Sequence, residues 1–342
     1  MILEKIFNFF LPVLYFTPIL RHNYICRKFL LIPLYKNKQK SKGENCNRGK
    51  NCNRGKNIIY MVQPETTFSG GLSDRFRGIT SIYAECKHKN LPFRIVFEPF
   101  CLQDYLVPNK YDWRIEAKDI CWDVQKVYPC TLLTYHHNLH NCLQRLAQRI
   151  ILSYYLKKDY QQIHIYSNMA IADKDFSSLF KELFRPSSRL QSQIDFHLRH
   201  LGGEKKYISL TFRFRQLLGD FKEGGEILAE SDREAYILKC IRGVERLHSK
   251  YPTERILVTS DSKTFLDRLS ILQYVYIIPG CVVHMGFTFD ASQDVYMKSF
   301  VDFFMLSNAK KVFQMTDKLL FRSGFPKRAA MLNEASYEEI KL

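Results

Sequence analysis

Between Tyr207 and Leu332 the sequence alternates short, apolar, β-prone runs with longer stretches of helical spacing. That alternation leaves few folds open. Strands are expected at Tyr207–Phe214, Ile256–Thr259, Val275–Ile278, Cys281–His284 and Lys311–Gln314. Helices are expected from Ser231-Asp232 to Lys250, from Ser262 onward, over Asp294–Ala309 and over Phe325–Leu332. A helix over Ser187–Leu201, stopped by Gly202-Gly203, precedes them. Consecutive parallel strands need a crossover, and crossover helices cover both faces of the sheet. The same grammar opens at Ile58–Val62 (IIYMV), then a loop with Gly70 and Gly71, a helix over Asp74–Asn90 and a strand at Phe93–Phe97. Phe76, Ile79, Ile82, Tyr83 and Cys86 share one side of that helix. The fold class is therefore α/β, with two Rossmann-like domains at residues 57–200 and 201–342, each long enough to bury its own core. Tyr105–His140 shows no period and is expected to be irregular.

The formal net charge is +17, a value that invites a nucleic-acid reading. Its distribution argues otherwise: residues 1–56 hold 12 of the 51 Lys/Arg and 2 of the 34 Asp/Glu, so the body is only mildly basic. Met1–Leu20 is apolar and aromatic but interrupted by Pro12 and Pro18, and a second apolar patch, Phe29–Tyr35, follows Arg27 and Lys28. Residues 1–35 are expected to associate with an anionic membrane surface, either lying in the interface or spanning once. Positive charge after the segment would keep the body cytoplasmic, at the inner face of the cell membrane. Residues 36–56, with NCNRGK repeated in tandem, are expected to be a flexible basic linker. No nucleic acid partner is expected. The 10 cysteines include no CxxC pair, and no Asn-x-Ser/Thr sequon occurs, which favours a reducing compartment. His136, His137 and His140 lack a matching Cys or carboxylate and read as a polar loop rather than a metal site.

Three stretches fall at the carboxyl ends of expected strands, where open α/β sheets bind ligands. The first is Thr211-Phe212-Arg213-Phe214-Arg215, with Gly219-Asp220 after it; its arginines suit a diphosphate, because guanidinium matches phosphate oxygens two at a time. The second is Thr259-Ser260-Asp261-Ser262, able to read a base or ribose, or simply to cap the next helix. The third is Ser323-Gly324-Phe325-Pro326, where a helix start would offer N–H groups to phosphate, or Ser323 would serve as a plain N-cap.

In this order the motifs resemble the GDP-fucose-dependent fucosyltransferases, the group of α-1,2-, α-1,6- (including the nodulation enzyme) and protein O-fucosyltransferases. Four elements carry the resemblance over residues 57–335: Gly70-Gly71-Leu72-Ser73-Asp74-Arg75-Phe76-Arg77-Gly78-Ile79 after the first strand, Thr211-Phe212-Arg213, Thr259-Ser260-Asp261, and Ser323-Gly324-Phe325-Pro326 with Ala329 and Ala330. Two positions depart: Thr211 stands where the family has His, and Pro326 where it has Ser. The resemblance implies a GT-B architecture, two facing Rossmann-like domains with a nucleotide-sugar cleft between them. It implies inverting transfer of fucose from GDP-fucose without a metal or other cofactor. It assigns Arg213, or alternatively Arg215, to the leaving diphosphate. Ser323, Gly324 and Phe325 would line the diphosphate, and Thr259 and Asp261 the nucleotide. Gly70, Gly71, Asp74 and Arg75 would approach the donor. The expected partners are a nucleotide sugar and an oligosaccharide or lipid-linked glycan acceptor of surface polysaccharide biosynthesis; the alternatives are a glycosyltransferase with another nucleotide-sugar donor, or a non-catalytic glycan- or nucleic-acid-binding protein. The acceptor hydroxyl needs a base, for which Asp220, Glu223 and Asp74 are candidates.

Overall fold

The structure is a computed structural model and describes residues 19–41, 56–64, 66, 70–133, 141–221, 223, 225–283, 285 and 292–342. The chain forms two compact units: unit 1 is Met1–Gly70, Asp74–Glu98 and Pro108–Phe184, and unit 2 is Gly71–Ser73, Pro99–Val107 and Arg185–Leu342.

Unit 1 is built on β1 (Asn57–Val62), β2 (Phe93–Phe97), β4 (Val127–Leu132) and β5 (Gln162–Ser167), all parallel, in the order β2-β1-β5-β4. Helix α2 (Leu72–His88) buries Phe76, Ile79, Ile82, Tyr83 and Cys86, the stripe that its spacing announces. Strand β4 corrects the expectation of an irregular stretch there. Its Pro129 disguises it, and Pro is tolerated because β4 is an edge strand that need not donate on its outer side. Two short strands, β3 (Leu106–Pro108) and β6 (Phe184–Pro186), pair as a separate ribbon, with Leu106, Val107, Arg185 and Pro186 belonging to unit 2. Helices α3 (Asn141–Leu156) and α4 (Phe176–Leu183) complete the unit.

The N-terminal expectation also needs correction. Residues 19–41 form one helix, α1, with a π-helical turn at Arg27–Leu31. Residues 36–41, expected to be linker, are its last turns. Leu31 and Tyr35, expected at a membrane, are fully buried with Ile59, Met61 and Trp122 in the core of unit 1. The pattern could not show this, because the residues that cover them lie far along the chain. Asn23 Oδ1 accepts from Thr131 N (2.8 Å), so α1 also occupies the free edge of β4. The tandem NCNRGK lies, apart from Lys56, outside the described residues.

Unit 2 is a second parallel sheet, in the order β11-β10-β7-β8-β9: β7 (Tyr207–Phe212), β8 (Arg255–Ser260), β9 (Val275–Tyr276), β10 (Lys311–Thr316) and β11 (Ser336–Lys341). Its helices are α5 (Ser188–His200), α6 (Glu230–Lys250), α7 (Lys263–Leu269), α8 (Gln293–Ser307) and α9 (Gly324–Leu332). Several details differ from expectation: β7 and β9 end at Phe212 and Tyr276, each two residues early, and β11 is an additional strand. Cys281–Val283 is not a strand, and α6 starts after Ala229, with Ser231 and Asp232 inside its first turn. Helix α5 packs on α8 within this unit, whose longest segment begins at Arg185. Tyr105 belongs here too: its ring stacks on Phe300 at 4.4 Å and its hydroxyl donates to Gln293 O at 3.0 Å. The α/β class with two Rossmann-like units is thus what the chain adopts.

One buried cluster ties α1 to the sheet. Tyr35 Oη lies 2.8 Å from His164 Nδ1, and His164 Nε2 lies 2.9 Å from Gln162 Oε1. Burial drives the His164 pKa down from 6.5 to about 3. Above 6.5 the ring is neutral whether the chain is folded or not. Between 6.5 and about 3 only the unfolded chain takes the proton, so stability is lost as pH falls through that window. Urea titrations should show His164 contributing a slope of about 1.4 kcal/mol per pH unit there. The variant His164→Gln should lose that share; an unchanged slope would contradict a buried neutral ring.

Candidate functional site

Strands β7 and β8 run side by side, with Thr211 opposite Thr259 and Phe212 opposite Ser260, so their carboxyl ends emerge together. Beyond them the chain makes a turn held by one carboxylate. Asp261 Oδ1 accepts from Phe214 N (2.8 Å), and Oδ2 accepts from Arg215 N (2.7 Å) and lies 3.0 Å from Arg213 Nη1. The Asp261 side chain is 1% exposed. Burial raises its pKa, while the Arg213 charge and the backbone N–H groups oppose the rise. Arg215 sits in the left-handed region at φ 56°, a strained conformation for a side chain of this size. The Arg213 guanidinium also pairs with Glu223, whose other oxygen lies 3.4 Å from Arg215 Nε. Two arginines and two carboxylates thus interlock at the end of β7.

Aromatic rings border this cluster. The Arg213 guanidinium lies 4.7 Å from the Phe221 ring centre and that of Arg215 lies 5.1 Å from Phe321. Phe321 N donates to Arg213 O (2.8 Å), which brings the segment after β10 to the same place. Two residues on, Ser323 caps α9, its Oγ accepting from Phe325 N at 3.2 Å. The buried amide of Gln314 on β10 fixes this cap, accepting from Ser323 N at 2.6 Å in the orientation that satisfies both of its ends. Ser73 Oγ donates to Gly324 O (3.3 Å), so the early part of the glycine motif reaches the start of α9 within unit 2.

The structure therefore gathers Arg213, Arg215, Glu223, Asp261, Ser323 and Gly324 around two strand ends and one helix start. Phe325 turns its ring toward Phe303 at 5.5 Å. Thr259 is buried, its hydroxyl 2.9 Å from that of Thr211, so this pair is satisfied internally. Asp220 Oδ2 accepts from Ser262 Oγ and Thr264 N, each at 2.8 Å, at the start of α7. Gly70, Asp74 and Arg75 shape the glycine loop in unit 1, and Gly71 falls in unit 2. Gly70 adopts φ +64°, and a Cβ there would meet the Asp74 carboxylate. Buried Arg75 donates to Gly70 O at 3.1 Å. His136, His137, His140 and His284 lie outside the described residues. Among the described residues no group of three or more His, Cys, Asp or Glu is placed to hold a metal ion. Asp173 and Asp175, an Asp-x-Asp pair, lie on a 3-10 turn of unit 1. Phe221, Phe321 and Gln314 were not foreseen; the Phe residues carry no sequence signal beyond their nearness to the motifs.

No protein-family model matches the sequence, and no curated protein matches it. Solved structures do match the fold. Crystals of NodZ α-1,6-fucosyltransferase with GDP give a TM-score of 0.50 at 13% identity, covering 82% of this chain and 93% of that one. NodZ from Bradyrhizobium as the selenomethionine protein gives 0.51 at 14% identity, covering 82% and 92%. The chain shares its fold with these fucosyltransferases. Identity this low speaks for the fold alone, and the residues must carry the function.

Gly78, the last glycine of the first motif, is constrained by the fold. A Cβ there would collide with the Ser167 carbonyl oxygen and come within 2.9 Å of the Tyr60 hydroxyl, itself donating to Ser167 O at 2.6 Å. Backbone cannot swing aside as a side-chain tip can, so α2 would have to lift off β5. Gly78→Ala should lower the stability of unit 1 by about 1–3 kcal/mol in denaturant unfolding. A neutral substitution would show that α2 does not need this close approach.

Proposed function

We propose that the chain is a glycosyltransferase that moves fucose from GDP-fucose to a glycan hydroxyl, with inversion. The observation that carries this reading is the Arg213–Arg215 pair at the end of β7, beside the N-terminus of α9. In such a transfer the bond from sugar C1 to the β-phosphate oxygen breaks, and the acceptor oxygen bonds to C1. Negative charge grows on the departing diphosphate. A guanidinium aimed at it stabilises the transition state more than the ground state. Arg213 takes this role, oriented by Asp261. Glu223 neutralises the clamp until the diphosphate arrives. Ser323 and the backbone N–H groups opening α9 add a second anion-binding element. The likeness to NodZ, crystallised with GDP and soaked with GDP-fucose, supports the choice of nucleotide.

Neither Glu223 nor Asp220 is assigned to the acceptor proton: Glu223 is held by the arginines on the leaving-group side, and Asp220 is committed to the start of α7. Phe321, 45% exposed beside Arg215, supplies a ring face on which a base or sugar can stack. The reading assigns charge stabilisation to arginines, so it needs no metal. An oligosaccharide or lipid-linked glycan of a surface polysaccharide is the proposed acceptor.

Calorimetry with GDP, GDP-fucose, GDP-mannose and UDP-sugars tests this, with and without EDTA. GDP compounds should bind, EDTA should not matter, and Arg213→Ala should abolish tight binding. Turnover in that variant should fall by roughly 100- to 1000-fold, about 2.7–4 kcal/mol of transition-state stabilisation. Binding of no nucleotide, or equal binding by the variant, would sink the proposal.

A further inference from the structure

Helices α1 and α3 of unit 1 both pack on the edge strand β4. They share one of its residues: the Tyr128 ring centre lies 4.6 Å from the Arg27 guanidinium of α1 and 5.9 Å from Lys158 Nζ, just past α3. The inner side of α3 is ordinary, with Ala147, Ile151, Leu152 and Tyr155 buried. Its outer side is not. Leu146, Ile150 and Tyr154 recur every fourth residue and are 54%, 48% and 53% exposed. On a water-facing helix these positions are normally polar. Helix α1 adds exposed Leu20, Tyr24 and Phe29. Neither helix contains an Asp or Glu; Arg21, Lys28 and Arg145 lie on them and Lys157 and Lys158 follow α3, while Arg149 is paired with Glu85 of α2 at 2.7 Å and Arg27 is held over the Tyr128 ring. The cations sit against the rings: Lys28 Nζ is 5.6 Å from the Tyr24 centre and 5.2 Å from that of Phe29, and Lys158 Nζ is 4.2 Å from that of Tyr154.

We infer that this α1–α3 face docks on an anionic lipid bilayer. Apolar and aromatic side chains enter the headgroup boundary, while long basic side chains reach the lipid phosphates. Charge decides between occupants. A second copy of the chain would set cations against cations, with no acidic residue on either helix to pair them. A negatively charged surface complements them. The sequence that leads into α1, residues 1–18, is itself apolar and aromatic and lies outside the described residues. No described helix is long and apolar enough to cross a membrane, so the face is read as lying on the bilayer. The inference does not rest on the nucleotide reading, since the Arg213 cluster belongs to unit 2.

Vesicle sedimentation of the full chain tests it, using phosphatidylcholine alone and phosphatidylcholine with phosphatidylglycerol. The chain should bind the anionic vesicles, bind the neutral ones weakly, and release as salt rises. The double variant Ile150→Ser/Tyr154→Ser should lower partitioning at least tenfold with an unchanged unfolding midpoint, because both residues are exposed. Lys157→Gln should cost about fivefold, the equivalent of about 1 kcal/mol per charge near the surface. Four results would overturn the inference: no vesicle binding, equal binding to neutral vesicles, full binding by the double variant, or concentration-dependent dimerisation that the double variant abolishes.

Discussion

The site depends on one buried carboxylate. Asp261 leaves the end of β8 and closes the turn that leaves the neighbouring strand β7, bonding two backbone N–H groups and one guanidinium. A charge without water is costly unless every lone pair is engaged, and here the engagement also orients Arg213. The parallel register makes this possible, since adjacent strands that end together place Asp261 under the chain leaving β7. Without it the 213–215 turn would lose two hydrogen bonds, and Arg215 would lose support for a strained conformation.

Around that anchor the fold adds a second polar support, Gln314, buried in β10 and fixing the cap of α9. Neither residue needs to touch a ligand to matter. Both hold groups that can, and rigid support of this kind is what keeps a binding geometry within tolerance. The arginines themselves are only partly enclosed, with Arg213 18% and Arg215 33% exposed in their side chains. That combination of buried support and accessible guanidinium suits an anionic ligand arriving from solvent.

Much of the framework could be read from sequence, because β-prone runs such as the apolar IIYMV and the mostly apolar YISLTF stand out and their connections follow parallel-sheet grammar. What escaped did so for physical reasons. Strand β4 hides behind Pro129. Strand β11 (SYEEIK) is an edge strand with few apolar side chains, so its pattern is that of a loop. The burial of Leu31 and Tyr35 depends on Ile59, Trp122 and His164, which no local pattern connects to them. Within the site, residue type pointed to Arg213, Asp261 and Ser323. Only geometry separates Glu223, at the arginines, from Asp220, at a helix start three residues earlier.

The central claim is that the ends of β7 and β8 and the start of α9 together hold the diphosphate of a nucleotide sugar. Hydrogen–deuterium exchange of the full chain with and without GDP measures this most directly. The account predicts slowed exchange at residues 213–217, 261–264 and 323–327, and none of it in Arg213→Ala. Protection confined to other segments, or protection that survives in the variant, would contradict it.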